Sequence, residues 1–106
     1  QFSGPPAAVK AMIDRCQCLW ARKYILKIPP LSRERKRKGF LISVGARGMK
    51  DMFVPTLQIV KTWFHVLEIE YAGELLFSKI DEKGAILKQP EALEKAYAAG
   101  QKLAEG

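Results

Sequence analysis

The chain has 106 residues, of which 48% are hydrophobic and 27% charged, a composition typical of one soluble globular domain or part of one. No apolar run approaches the ~18 residues that a transmembrane helix needs, and the opening residues do not read as a signal peptide, so we expect no membrane partner. The formal net charge of +7 is local, because residues 22–38 carry all of the excess and the remainder is balanced.

The first predicted element is a helix over residues 5–20. Ser3 precedes it as a candidate N-cap, and the prolines that follow suit a first turn. The apolar positions lie on one helical face: Val9, Met12, Ile13, Cys16, Leu19 and Trp20.

Residues 21–38 show no clear period, and the pair Pro29–Pro30 prevents regular structure. We interpret this segment as a solvated basic loop. The charge run from Arg33 to Lys38 is also suited to non-specific contact with phosphates. It has no interleaved aromatic residues, which argues against nucleic acid as a partner and leaves open the attraction of an acidic redox partner.

The rest of the chain alternates between strands and helices. The apolar pattern predicts a strand at 39–44, a glycine loop at 45–50, a helix at 52–65, a strand at 67–79, an extended piece at 85–87 and a helix at 90–105. We expect a bend at Gly73, and an apolar face on the last helix made by Leu93, Ala96, Tyr97, Gly100 and Leu103. This order predicts an α/β fold with parallel strands.

Few side chains suggest catalysis or metal binding. Cys16 and Cys18 are the only cysteines, and their spacing on a helix turns them apart, so we expect free thiols, a reducing cytoplasmic location and no metal site. The single histidine, His65, falls at the predicted end of a helix, where it suits the helix dipole. We favour this helix-terminal role for His65 over a catalytic one.

Three stretches carry a resemblance to a known family: FSGPPAAVKAMIDR, KGFLISVGARG and YAGELLFSKIDEKGAI, in this order. Together they resemble the C-terminal part of flavodoxin-like NAD(P)H-dependent FMN reductases, and in particular the iron–sulfur flavoproteins and their relatives without a cluster. The resemblance covers nearly the whole chain. It implies a flavodoxin-like three-layer sandwich whose first three strands and their helices lie outside this sequence.

The resemblance also implies a site, because open α/β sheets bind ligands at the carboxyl ends of their strands. Two loops would contact FMN, and NAD(P)H would be the substrate. The residues so assigned are Gln1, Phe2, Ser3, Gly4, Gly45, Ala46, Arg47 and Gly48. The glycines would let the backbone approach a flat ligand, and Arg47 would balance negative charge. Without the resemblance, the sequence favours a plain strand-to-helix turn for Gly45 to Gly48.

Two strands alone make an unstable layer with exposed edges. We therefore expect a homo-oligomer, either a dimer or a tetramer, as family members commonly form. Two alternatives to the reductase remain: a non-catalytic α/β subunit that acts by association, and a basic-loop binder of nucleic acid. The cysteine cluster of the iron–sulfur members and the phosphate loop of the family are not in this sequence.

Overall fold

The computed structural model describes residues 4–45, 51–80 and 85–105. Within this part of the chain the fold is mixed α/β, with four α-helices, one short 3-10 helix and two parallel strands. The elements in chain order are α1 (Ala7–Arg15), α2 (Gln17–Tyr24), β1 (Arg37–Val44), α3 (Val54–Leu67), β2 (Ile69–Phe77), the 3-10 helix (Ala85–Lys88) and α4 (Pro90–Glu105).

The predicted single helix over 5–20 is wrong, since the structure has two helices that meet at Cys16. The Cys16 N–H donates to the carbonyl of Ile13 at 3.0 Å, a bond one residue shorter than the α-helical pattern. α1 begins at Ala7 with Pro6 at its N-cap and no side-chain cap, and Ser3 lies outside the described residues.

The predicted loop over 21–38 is also too long at both ends. α2 continues to Tyr24, and β1 already begins at Arg37. Ala21, Arg22 and Lys23 favour helix by intrinsic propensity, which extends α2 although no apolar period marks it.

β1, α3 and β2 follow one another as a strand–helix–strand motif, and the two strands are parallel as predicted. α3 is displaced two residues from the predicted 52–65, and Pro55 lies in its first turn as expected. The helix ends at Glu68, whose left-handed φ of 61° turns the chain into β2 after a single residue. β2 is two residues shorter at each end than the predicted 67–79.

The described residues fall into two compact units. The first unit consists of the described residues within Gln1–Gly39 and Phe53–Tyr71. The second unit consists of those within Phe40–Met52 and Ala72–Gly106. Each strand contributes its opening residues to the first unit and its remainder to the second.

The core of the first unit lies along one face of α3. Its buried side chains are Thr56, Val60, Phe64 and Leu67, which follow helical spacing. The Phe64 ring packs against Trp63 and Tyr71, with ring centroids 5.6 and 5.9 Å apart. Gly39 of β1 lies directly against this ring, which leaves no room for a Cβ atom there.

The second unit contains the remainder of the two strands, the 3-10 helix and α4. Gly73 has a φ of 143°, a conformation that favours glycine, and a Cβ atom there would lie 3.0 Å from the Phe40 ring. β2 runs through Gly73 as one strand, and the bend expected there stays a prediction. The extended piece predicted at 85–87 is wrong, because Ala85–Lys88 form a 3-10 helix.

The predicted apolar face of α4 is partly wrong although the helix has the predicted range 90–105. Leu93 and Tyr97 are 44% and 69% exposed, whereas Ala92 is buried. The inward face is formed by Ala92 with the half-buried Ala96, Ala99 and Leu103. Small side chains allow close packing of the helix, and the two larger side chains turn outward.

Candidate functional site

The carboxyl ends of the two strands lie together at Gly45. The Gly45 N–H donates to the carbonyl of Phe77 at 2.8 Å, and the Ile80 N–H donates to the Gly45 carbonyl at 2.9 Å. These bonds fix the position of Gly45 directly after β1. They also engage both backbone groups of Gly45, so its amide is not a free donor for a ligand.

Most residues of the predicted FMN site fall outside the described part of the chain. These are Gln1, Phe2, Ser3, Ala46, Arg47 and Gly48. The two that are described belong to different units, with half-buried Gly4 in the first and Gly45 in the second, and each is described within its own unit. The assignment of this set to a cofactor stays a prediction.

The first unit also contains an open cleft between the α1–α2 pair and α3. Its volume is about 470 Å³, within the range of small-molecule sites. Trp20 and Trp63 line it together with Cys16, Ile59 and Val66. Within the described residues, the Trp63 indole N–H is buried without a hydrogen-bond partner. The cleft gives both tryptophans an apolar surface in common.

Three of the polar side chains at this cleft, Lys10, Asp14 and Cys16, are engaged with one another or with the backbone. Lys10 and Asp14, one helical turn apart, form an exposed ion pair with a distance of 2.9 Å between Nζ and Oδ1. The Cys16 thiol donates to the Met12 carbonyl at 3.5 Å. The arrangement suits binding of an apolar group better than proton transfer, since an acid or base needs a free partner within hydrogen-bond reach.

The strongest electrostatic contact of the described chain lies elsewhere, at the C-terminus of α3, and the sequence analysis missed it. Arg33 contacts the Glu68 carboxylate through two parallel hydrogen bonds of 2.7 and 2.8 Å. Lys23 lies 3.6 Å from the same carboxylate and donates to the His65 carbonyl at 3.2 Å. These cations satisfy acceptors at the end of the helix, where positive charge is favourable.

The pKa values of both partners reflect this geometry. The Arg33 hydrogen bonds hold the pKa of Glu68 below its usual value of 4.5, with a smaller contribution from Lys23. The same hydrogen bonds, and the charge of Glu68, raise the pKa of Arg33. Arg33 and Glu68 are separated by 35 residues in the sequence. The only signal that could have indicated their contact is the general preference of cations for helix C-termini.

The basic segment is largely exposed, and several of its cations are held by hydrogen bonds. Besides the cations at Glu68, the Arg22 guanidinium donates to the Pro29 carbonyl at 2.8 Å, and Arg37 donates to the Ser32 carbonyl. Arg35 and Lys36 are exposed between these anchored residues. Cations that hold the loop are less free to follow a phosphate backbone, which weakens the nucleic-acid alternative.

Two further observations concern metals and membranes. Across residues 4–45, 51–80 and 85–105, no three histidine, cysteine or acidic side chains are placed to hold a metal ion. Cys16 and Cys18 are free thiols. Every helix in that same part of the chain falls short of the length and apolarity that crossing a bilayer requires.

Comparison of the chain with protein-family models, with curated proteins and with solved structures finds no match. The family resemblance of the three sequence motifs is thus untested by these comparisons. The function has to be argued from the motifs and from the β1–α3–β2 unit.

Proposed function

We propose that this chain is the C-terminal portion of a flavodoxin-like FMN-binding domain that serves NAD(P)H-dependent reduction. The observation that carries the proposal is the β1–α3–β2 unit, whose parallel strands end side by side at Gly45. A glycine-containing segment follows Gly45 in the sequence, and open α/β sheets bind ligands at the carboxyl ends of their strands.

The two backbone hydrogen bonds of Gly45 restrict the role that this residue would have in cofactor binding. Its amide is engaged with Phe77, so it would contribute close backbone approach and a fixed starting point for the loop. Contacts with the cofactor would fall to Ala46, Arg47 and Gly48, and from the first loop to Gln1, Phe2, Ser3 and Gly4. The Arg47 guanidinium would supply positive charge beside the ligand.

The chemistry would belong to the cofactor. Bound FMN would supply hydride acceptance from NAD(P)H and passage of electrons to an acceptor. The protein residues would bind and orient the ring and exclude water from it. We therefore assign no catalytic side chain, and the electron acceptor is not specified by any described group.

The described fold supports the idea that further structure completes this domain. No side chain of the described residues is less than 2% exposed, and β1 leaves Ile42 and Val44 each 53% exposed. An apolar strand face of this kind is covered in three-layer α/β folds. Additional strands of a longer chain, or a second copy, would provide that cover.

A titration of FMN against the purified protein tests the proposal. We expect quenching of flavin fluorescence and a shifted visible spectrum, both weakened by Arg47→Ala and by Gly48→Val. Lys102→Gln on α4 is the matched loss of an exposed cation, and it should leave binding unchanged. Unquenched flavin at high protein concentration would refute binding by this chain. Equal weakening by all three variants would refute the assigned loop.

A second candidate function is a non-catalytic subunit that acts by association. The exposed apolar face of β1 favours it independently of any cofactor. Self-association without flavin binding would select this candidate over the reductase, and the assembly state is therefore measured in both the presence and absence of FMN.

A further inference from the structure

Three aliphatic side chains project into solvent directly after α2. Ile25, Leu26 and Ile28 are 66%, 63% and 41% exposed. We call these three residues the apolar tip. Single exposed aliphatic residues are common, but three within four positions form a local patch that calls for a partner.

The backbone of the apolar tip is held in one conformation. The Leu26 N–H donates to the Ala21 carbonyl at 3.2 Å, and the Ile28 N–H donates to the Arg22 carbonyl at 3.0 Å. Lys27 between them has a left-handed φ of 58°. Both bonds hold the chain against the last turn of α2, and the left-handed position of Lys27 is one that glycine adopts more easily. The apolar tip is therefore an ordered turn whose three aliphatic side chains face solvent.

The surroundings of the apolar tip are positively charged. Arg22, Lys23 and Lys27 flank it in sequence, and Lys23 meets Arg33 at the Glu68 carboxylate. This contact brings the basic loop to the end of α2, and Arg35 and Lys36 follow two and three residues later. The only acidic residue between positions 22 and 38 is Glu34.

Two aromatic side chains complete this surface. Trp20 and Tyr24 lie one helical turn apart with ring centroids separated by 5.4 Å, and they are 40% and 38% exposed. The Lys23 ammonium lies 5.2 Å from the centre of the Tyr24 ring. Tryptophan and tyrosine prefer the depth at which lipid headgroups meet acyl chains.

We propose that the apolar tip and its surrounding cations form a surface that adsorbs to an anionic lipid bilayer. The aliphatic side chains enter the headgroup–acyl boundary, and the exposed cations Lys27, Arg35 and Lys36 meet lipid phosphates and carboxylates. Adsorption of this kind needs no spanning helix. It does not depend on flavin binding, so it holds or fails separately from the proposed reductase function.

The combination of groups favours a bilayer over the other possible occupants. Nucleic acid would engage the cations but gives three aliphatic side chains little apolar surface to contact. A second copy of this chain would place like charges against each other. A bilayer with acidic headgroups offers negative charge and an apolar layer at adjacent depths.

Cosedimentation with vesicles of stated composition tests the proposal. One set contains phosphatidylcholine alone, and the other contains phosphatidylserine as about one lipid in four. We expect binding to the second set to exceed binding to the first by at least about ten-fold and to fall as salt is raised. Trp63→Phe leaves Trp20 as the sole tryptophan, whose emission should shift to shorter wavelength on the anionic vesicles.

Two variants separate this role from folding. Lys27→Gly removes a cation and places glycine at a left-handed position, so it should preserve or raise thermal stability while weakening binding about five-fold. Leu26→Ser should weaken binding about ten-fold, because it removes apolar surface that enters the bilayer. Leu87→Ser is the matched control, since Leu87 is 71% exposed on the 3-10 helix, outside the basic segment.

Four results would contradict the proposal. Equal binding to both vesicle sets would exclude electrostatic recognition of acidic lipid. If Leu26→Ser left binding unchanged, the surface would bind through its positive charge alone. Competition by short duplex DNA that matches the affinity of the vesicles would assign the cations to nucleic acid. Equal losses for Leu26→Ser and Leu87→Ser would exclude the apolar tip as the contact.

Discussion

Gly39 shows how one residue without a side chain shapes the core of the first unit. A Cβ atom at this position would clash with the Phe64 ring and lie 3.0 Å from Ile69 Cγ2. Phe64 is 8% exposed and packs against Trp63 and Tyr71, so its ring cannot shift away from an added Cβ atom. The close approach of β1 to α3 therefore requires glycine.

We expect Gly39→Ala to lower the free energy of unfolding by roughly 1–3 kcal/mol, as overpacking of a core does. The urea midpoint measures the change. Combining it with Phe64→Leu should relieve the clash, so that the double variant loses less stability than the two single losses added together.

Gly100 on α4 provides the opposite control. It is exposed, and a Cβ atom there meets nothing within 4 Å. Gly100→Ala should raise the free energy of unfolding by about 0.5–1 kcal/mol, because alanine favours the helix. A Gly39→Ala protein at least as stable as the unmodified chain would contradict the packing described for Phe64.

At the scale of elements, the C-terminus of α3 depends on residues that lie far away in the sequence. Arg33 and Lys23 converge on Glu68, which also turns the chain toward β2 with a left-handed backbone. Because Arg33 lowers the pKa of Glu68, the unfolded chain takes up a proton at higher pH than the folded one. Stability from this carboxylate is thus full above the usual value of 4.5 and is lost as pH falls through the lower folded value.

We therefore expect Glu68→Gln to be less stable than the unmodified chain near neutral pH, with the difference shrinking as pH falls below 4.5. Glutamine keeps the length of the side chain and the same backbone strain, so the comparison isolates the charge. Urea midpoints across an acid series give the measurement. The matched control Asp14→Asn breaks the exposed pair with Lys10 and should change stability little. A pH-independent deficit in Glu68→Gln would show that the charge is not the cause.

The elements also show what the sequence could and could not specify. The range predicted for the last helix, 90–105, matches α4, and the alternation of strands and helices predicted the parallel pair. The break at Cys16 was hidden, because the apolar period continues unchanged across it. The inward face of α4 was misassigned, because hydrophobicity favoured Leu93 and Tyr97 where close packing selects alanines. Arg33 and Glu68 meet only through tertiary structure, and six of the eight predicted FMN residues lie outside the described chain.

At the scale of the whole molecule, the two-stranded sheet sets the question of assembly. Within the described residues each strand has a neighbour on one side only. Alternation along β1 places Phe40, Ile42 and Val44 on one face of the strand. Ile42 and Val44 are each 53% exposed, so this face is apolar and largely uncovered. Isolated two-stranded sheets are marginal in water, and an uncovered apolar strand promotes pairing with another chain.

We expect the purified chain to associate with itself in a concentration-dependent way, and Ile42→Lys to shift it toward the monomer by at least about ten-fold in dissociation constant. A lysine on the uncovered face opposes burial there without touching the Phe64 core. Leu87→Lys adds the same charge at a more exposed position in the same unit and should leave association unchanged. Sedimentation velocity over a range of concentrations distinguishes the two variants. A chain that stays monomeric throughout would show that the β1 face does not recruit a second copy. Equal effects of the two lysines would show that added charge, rather than the β1 face, controls assembly.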